Sequence, residues 1–264
     1  MPAVIFKMSK IMKKDVVVGL GEIGSPILKL FSKTETIVGY DLDPNLMNMK
    51  KFKQLENHST SFLHIAIPVS PKFQSNIIKV CKKFNPECIV IHSTISPGTT
   101  KKLQKKLNIP IIYSATRGVH KRMLKDLKRY TKFFSISQNA PRKSWAISNF
   151  RSKFHKTGVK TKKMSKPETL ELAKIICDTS YLGWLVNYAQ ISNVIAKEHN
   201  VNYDEMWEFS DEIHQILGNR PKMFPGFIGG HCVIPNLELI HDQTLDLINK
   251  MNNDYARKLN ISKK

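Results

Sequence analysis

No run of about 18 apolar residues occurs anywhere in the 264-residue chain, so no segment has the length and character of a membrane-spanning helix. The lead MPAVIFKMSKIMKK has only short apolar pieces broken by lysines and no small-residue cleavage site, so a cytoplasmic protein without a leader is expected. Cysteine is scarce: Cys81, Cys88, Cys177 and Cys232 are far apart, form no CxxC pair and have no histidine cluster beside them. That pattern excludes a disulfide framework and a zinc site, and no metal is expected. Acidic residues are few, 21 against 42 lysines and arginines, and the net charge of +21 would attract polyanions. The lysines are scattered as pairs along the whole chain and no zinc-finger or RNP-type motif accompanies them. They read as solvated faces, and nucleic acid is not expected as a partner.

What is present is an alternation of apolar strands and helices. DVVVG, TIVGYD, SFLHIAI, CIVIH and IPIIYSA read as strands, separated by helical stretches that carry apolar residues at helical spacing. Strands alternating with helices imply a parallel sheet covered on both faces. After the basic segment GVHKRMLKDLKRYTK, FFSIS reads as a strand, PRKSWAISNFRSKFHKTG as a proline-started helix and VKTKKMS as an edge strand. The expectation is an α/β chain, with a Rossmann-type domain over 1–165 and a mainly helical domain over 166–264. Ser165, Pro167 and Glu168 have the form of a capping box, and from there to Asn200 the only glycine is Gly183. One helix of about 30 residues, roughly 45 Å long, follows. A helix of that length needs a partner surface, so a homodimer through 166–200 is expected.

Gly19, Gly21 and Gly24 form a GxGxxG between the first strand and the first helix, and Asp41 closes the next strand. The motif alone is weak, but its place in a strand–turn–helix unit with an acid 20 residues after Gly21 points to a dinucleotide site. Gly19 permits the tight turn, Gly21 lets the backbone approach a pyrophosphate and Gly24 allows close helix–strand packing. The turn residues Glu22 and Ile23 lead into the helix N-terminus, whose free N–H groups face the anion. Asp41 accepts from the adenosine ribose, and its charge favours NAD over a cofactor with a 2′-phosphate. Pro68, Ser93 and Thr94 fall at the carboxyl ends of later strands, where ligands sit in open α/β sheets, although Ser93 and Pro97 read equally well as turn residues.

VVVGLGEIGSP, HSTISPGTT and the late GGHC together resemble the UDP-glucose/GDP-mannose dehydrogenase family over nearly the whole chain. The resemblance implies an NAD-dependent enzyme that oxidises a nucleotide-sugar primary alcohol to a carboxylate in two hydride transfers, through intermediates on a cysteine. Cys232 falls on that cysteine, and Thr94 near the nicotinamide. Glu171, Leu172, Ala173 and Lys174 open a stretch similar to the family's helix motif ExxKxxxN, which gives Lys174 an electrostatic or acid–base role beside the substrate oxyanion. Spacing of four places Lys174 and Asp178 on one helix face.

Three departures accompany the resemblance. Asp178 stands where the family has asparagine, and Asn236 where it has aspartate, so one carboxylate is kept in exchanged position. Thr116 replaces a glutamate that assists acid–base steps, while the adjacent Arg117 matches. The family's further C-terminal domain has no counterpart before Lys264, which leaves a smaller substrate, a second chain or a lost activity as expectations. For Cys81, Cys88 and Cys177 the reading is a buried small hydrophobe. Cys232 differs because Gly229, Gly230 and His231 beside it expose backbone N–H groups and leave room for a ligand. The expected activity is therefore NAD-dependent alcohol oxidation in a cleft between the two domains. The alternatives are a β-hydroxyacid-type dehydrogenase that uses Lys174 without the cysteine, and a catalytically silent NAD-binding protein.

Overall fold

A computed structural model describes residues 12–218, 228 and 243–258 of the protein. The chain divides into two compact units, Met1–Tyr181 and Leu182–Lys264. In the first, seven strands form one sheet: β1 (Lys13–Val18), β2 (Ile37–Tyr40), β3 (Ser59–Ile65), β4 (Cys88–Ile91), β5 (Ile111–Tyr113), β6 (Lys132–Ile136) and β7 (Thr161–Lys163). Their order is β2-β1-β3-β4-β5-β6-β7, and the helices between them are α1 (Gly24–Phe31), α2 (Met49–Gln54), α3 (Phe73–Phe84), α4 (Thr99–Gln104), α5 (Met123–Arg129) and α6 (Lys143–Lys156). β2 and β3 flank β1 on opposite sides, so the connection from β1 to β2 and the one from β3 to β4 run in opposite directions and open a crevice at the carboxyl ends of β1 and β3. Successive residues of β1 point to opposite faces: Val17 joins one apolar cluster, Val16 and Val18 the other. Burial on both faces is why these strands read as continuous apolar runs.

The expected parallel sheet holds with one exception, because β6 runs antiparallel to β5. The connecting helix α5 (Met123–Arg129) buries Met123 and Leu127 in the cluster that holds Leu30 and Phe31, and the chain re-enters the sheet at the end where β5 left it. The reversal brings Lys132, the first residue of β6, beside Ala115 and Thr116.

One face of the sheet also carries a row of buried polar groups. Asp15 accepts from the Phe62 N–H at 3.1 Å and pairs with Lys153 at 2.8 Å. Burial raises the proton affinity of Asp15, but the His64 and Lys153 partners outweigh it and hold the carboxyl below its ordinary range. His64 Nδ1 lies 3.0 Å from His92 Nε2, and His92 Nδ1 lies 3.1 Å from the Ser114 carbonyl oxygen. A carbonyl only accepts, so His92 carries its proton on Nδ1 and receives a hydrogen bond from His64. Burial, then the nearby Lys132, keep His92 well below its usual basicity and therefore neutral.

The helical stretch expected after residue 166 is three consecutive segments: α7 (Pro167–Leu172), a π-helical segment (Ala173–Ser180) and α8 (Tyr181–Glu198). The capping box is corrected, because the N-cap is Lys166 and makes no side-chain cap bond. Ser165 stands one position too early and shares a hydrogen bond with Thr169 Oγ1 at 3.2 Å instead. The expected proline-started helix is α6 (Lys143–Lys156), which starts after Arg142 at φ 47 rather than at Pro141.

The described part of the second unit is helical. α9 (Tyr203–Leu217) is capped by Asn202, whose Oδ1 accepts from the Asp204 and Glu205 N–H groups, and it ends on Gly218 at φ 63. Ile228 exchanges two hydrogen bonds with Asn252 of the helix Gln243–Lys258, at 2.7 and 3.0 Å. Among the described residues, no helix is long and apolar enough to cross a membrane.

Candidate functional site

A cavity of about 970 Å3 opens at the carboxyl ends of β1 to β4. Gly19, Gly21, Glu22, Ile23, Asp41, Pro68, Ser93 and Thr94 all line it. The three glycines of the turn have different physical reasons. Gly19 sits at φ 88, and a Cβ there would stand 2.7 Å from the Ala66 carbonyl oxygen. A Cβ on Gly24 would overlap the Gly19 carbonyl oxygen, so Gly24 serves packing and does not line the cavity. Gly21 has no atom within 4 Å of the place its Cβ would take, and its φ is not positive. Neither packing nor backbone conformation asks for glycine at that position, which is the observation a pyrophosphate lying against the turn explains.

The helix that follows, α1 (Gly24–Phe31), has no side-chain N-cap and no acid in its first turn. Its positive end is left to a ligand anion. Asp41 is held in place by two backbone donors: its Oδ2 accepts from the Leu20 N–H at 2.6 Å and its Oδ1 from the Asp43 N–H at 3.0 Å. Each oxygen keeps a lone pair for a ribose hydroxyl. Ser93 Oγ donates to the Ile67 carbonyl at 2.6 Å, so this serine ties two cavity loops together, as a turn residue does. A dinucleotide therefore fits the residues present, with phosphates at the turn and ribose at Asp41. Sequence reasoning missed the far wall, formed by Asn76, Lys79 and Lys83 of α3 (Phe73–Phe84). The Lys79–Lys83 spacing of four was the available signal. Lys83 Nζ stands 4.0 Å from the Tyr40 ring centroid.

A second cavity, about 180 Å3, also lies in the first unit and is lined by Ala115, Arg117, Phe133, Met164, Leu170, Ala173, Lys174, Cys177 and Asp178. Lys174 and Asp178 form an ion pair across one turn of the π-helical segment. π-Helical turns are rare and concentrate at functional sites. Cys177 corrects an expectation: it is exposed and lines this cavity rather than filling a core, because the wider turn carries it to the open side. Cys88 is buried as expected, and burial pushes its thiol well up, while Cys81 is half-buried. Glu171, quoted from the helix motif without a role, is fully buried. Its carboxylate accepts from the Gly98 N–H at 2.6 Å, the Thr100 N–H at 3.0 Å and the Thr100 hydroxyl at 2.6 Å. It fixes α7, and with it Lys174, to the loop that follows Thr94.

Arg117 donates to the Thr131 carbonyl at 2.8 Å and stacks 4.9 Å from the Phe133 ring centroid. Behind that wall Lys132 Nζ donates to the Ala115 carbonyl and to Thr116 Oγ1, each at 3.0 Å. Burial first, then the Arg117 and Lys174 charges, bring Lys132 down to about 7. Lys132 was missed because it reads as the flank of FFSIS; a lysine entering a buried strand was the signal. The structure thus gathers Lys174, Asp178 and Arg117 around one cavity and puts Thr94 in the other. Cys232 and Asn236 lie outside the described residues.

No protein-family profile matches the chain, and no curated protein matches it either. Solved structures do match. A UDP-glucose dehydrogenase from Pyrobaculum islandicum is 16% identical, with 97% of this chain and 71% of that one aligned at a TM-score of 0.59. A UDP-D-ManNAc dehydrogenase from Pyrococcus horikoshii is 18% identical, over 92% and 68%, at 0.55. A variant imine reductase from Myxococcus stipitatus, solved in complex with NAD+, is 10% identical over 95% of both chains, at 0.59. At such identities the likeness is one of fold, and it is the Rossmann-type sheet followed by helices that the chain shares with these dehydrogenases and reductases.

Proposed function

We propose that the protein is an NAD-dependent dehydrogenase that oxidises an alcohol, the C6 hydroxyl of a nucleotide-sugar or a related sugar. The observation that carries this reading is the large cavity in which Gly21 faces open space and Asp41 offers a fixed carboxylate. Bound there, the nicotinamide dinucleotide supplies the hydride acceptor. The backbone N–H groups of the turn hold its phosphates, and Asp41 holds the adenosine ribose. Lys174, oriented by Asp178, stabilises the oxyanion that develops as the substrate hydroxyl loses its proton. On the sequence resemblance, two NAD bound in turn would take the two hydrides: the first leaves C6 to give the aldehyde, Cys232 Sγ adds to its carbon, the second leaves the thiohemiacetal, and water hydrolyses the thioester to free the thiol and the carboxylate.

The test is the purified full chain with NAD and a panel of sugar nucleotides. Two NADH are expected per acid formed, and Cys232→Ser makes no acid. NADH binding without reduction of NAD by any sugar nucleotide or hydroxyacid would leave a silent binding protein and sink the enzyme. A second reading, a β-hydroxyacid-type dehydrogenase using Lys174 alone, is favoured by the small cationic cavity at Arg117 and Lys174. Under it Cys232→Ser turns over a hydroxyacid unimpaired.

A homodimer belongs to the same proposal. Tyr181, Trp184 and Tyr188 share one face of α8 and are all exposed, Trp184 by 54%. Light scattering at micromolar concentration should give twice the chain mass, and Trp184→Glu should lower it to one; a monomeric wild-type chain removes the dimer.

A further inference from the structure

We propose that the cavity bounded by Arg117, Lys174 and the Ala115–Arg117 turn is a carboxylate site, and that Lys132 behind the turn takes up a proton as the carboxylate enters. The inference rests on the dehydrogenase reading, since an acid is the product of the one reaction and the substrate of the other. Three basic side chains gather at this turn: Arg117 and Lys174 line the cavity, and Lys132 bonds to Ala115 and Thr116 from the other side. Among the described residues Asp178 is the one carboxylate on the cavity wall, and Lys174 already holds it.

Lys132 is only 5% exposed and has no ion-pair partner among the described residues. A lysine placed there without a counter-charge is costly in its charged form, and burial with the two neighbouring cations accounts for its neutral tendency. The groups facing it are Arg117 from the turn, Lys174 from the π-helical segment, neutral His92 beyond β4 and Asp126 from α5. Asp126 is committed elsewhere: it accepts from the Val119 N–H at 2.9 Å and from Arg122 at 3.0 Å. An anion in the cavity supplies the missing negative charge and makes protonated Lys132 favourable.

A carboxylate suits the site better than a phosphate. About 180 Å3 admits a small acid or the acid end of a sugar, and the planar edge of Arg117, fixed by its stacking on Phe133, matches two carboxylate oxygens. Proton uptake and anion binding are then reciprocally linked, so each strengthens the other.

The probe is glycolate, titrated calorimetrically into the full chain at pH 6 and pH 8 in two buffers of different ionisation enthalpy. Binding should be tighter at pH 6, by up to about ten-fold, with net proton uptake at pH 8. Lys132→Met keeps the length of the side chain and should abolish both the uptake and the pH dependence. Glycolamide, the uncharged isostere, should not bind. No glycolate binding at either pH, inorganic phosphate binding more tightly than glycolate, or uptake unchanged in Lys132→Met overturns the proposal. NADH binding in the same samples separates the two readings. NADH bound without glycolate linkage sinks this proposal alone; glycolate linkage without NADH sinks the dehydrogenase and leaves the carboxylate site standing.

Discussion

Gly24→Ala should lower stability by about 2–3 kcal/mol, a fall in Tm of about 5–10 °C, because its Cβ would overlap a backbone oxygen that no rotamer change can move. The overlapped atom is the Gly19 carbonyl, so relief of the clash displaces the turn proposed to cradle the phosphates. NADH affinity should fall at least about 100-fold, the loss of two or more charge-assisted hydrogen bonds. Gly21→Ala is the matched control. Its Cβ meets nothing, so Tm should hold or rise slightly, yet NADH affinity should still drop about ten-fold because the methyl takes space a phosphate needs. Thermal melts and NADH fluorescence titrations on both variants read this out. Wild-type NADH affinity in Gly21→Ala would mean that the cavity at Gly21 holds no phosphate.

Lys174→Ala should reduce turnover on the order of 10²- to 10⁴-fold while NADH binding stays as in the wild type. The lysine lies in the smaller cavity and touches none of the larger one, so cofactor affinity and chemistry separate at this position. Glu171 tests the same assignment from behind. Glu171→Ala strands the Gly98 and Thr100 donors and frees α7, so it should lower both Tm and turnover, whereas Lys174→Ala leaves Tm in place. Steady-state rates and melts on the two variants suffice. A Lys174→Ala enzyme at wild-type rate removes the lysine from the chemistry.

The cavity at the glycine turn was legible because its determinants are local. A glycine turn between a strand and a helix, and an acid at the next strand end, are fixed by spacings of a few residues. Gly24 was legible on the same ground: the motif gives it to helix–strand packing, and its Cβ would overlap the Gly19 carbonyl oxygen, while Gly19 and Gly21 line the cavity. The helix motif placed Lys174 and Asp178 on one face, and they do pair. Glu171 in the same motif gave no hint of its partners, because Gly98 and Thr100 are more than 70 residues away in sequence. Ser165 misled for a smaller reason, as a shift of one residue turns a capping serine into a bystander.

By itself, then, the amino-acid sequence determined the strand–helix alternation, the glycine turn and its acid, and the helix that carries Lys174, since all of these follow from periodicity and short-range spacing. Tertiary structure alone decided the antiparallel entry of β6, the solvent-facing thiol of Cys177 and the burial of Lys132. Each depends on which distant segment lies alongside. A lysine before FFSIS reads as surface charge until the reversed strand sets it under the Ala115–Arg117 turn, where removal from water and two neighbouring cations change what its amine can do.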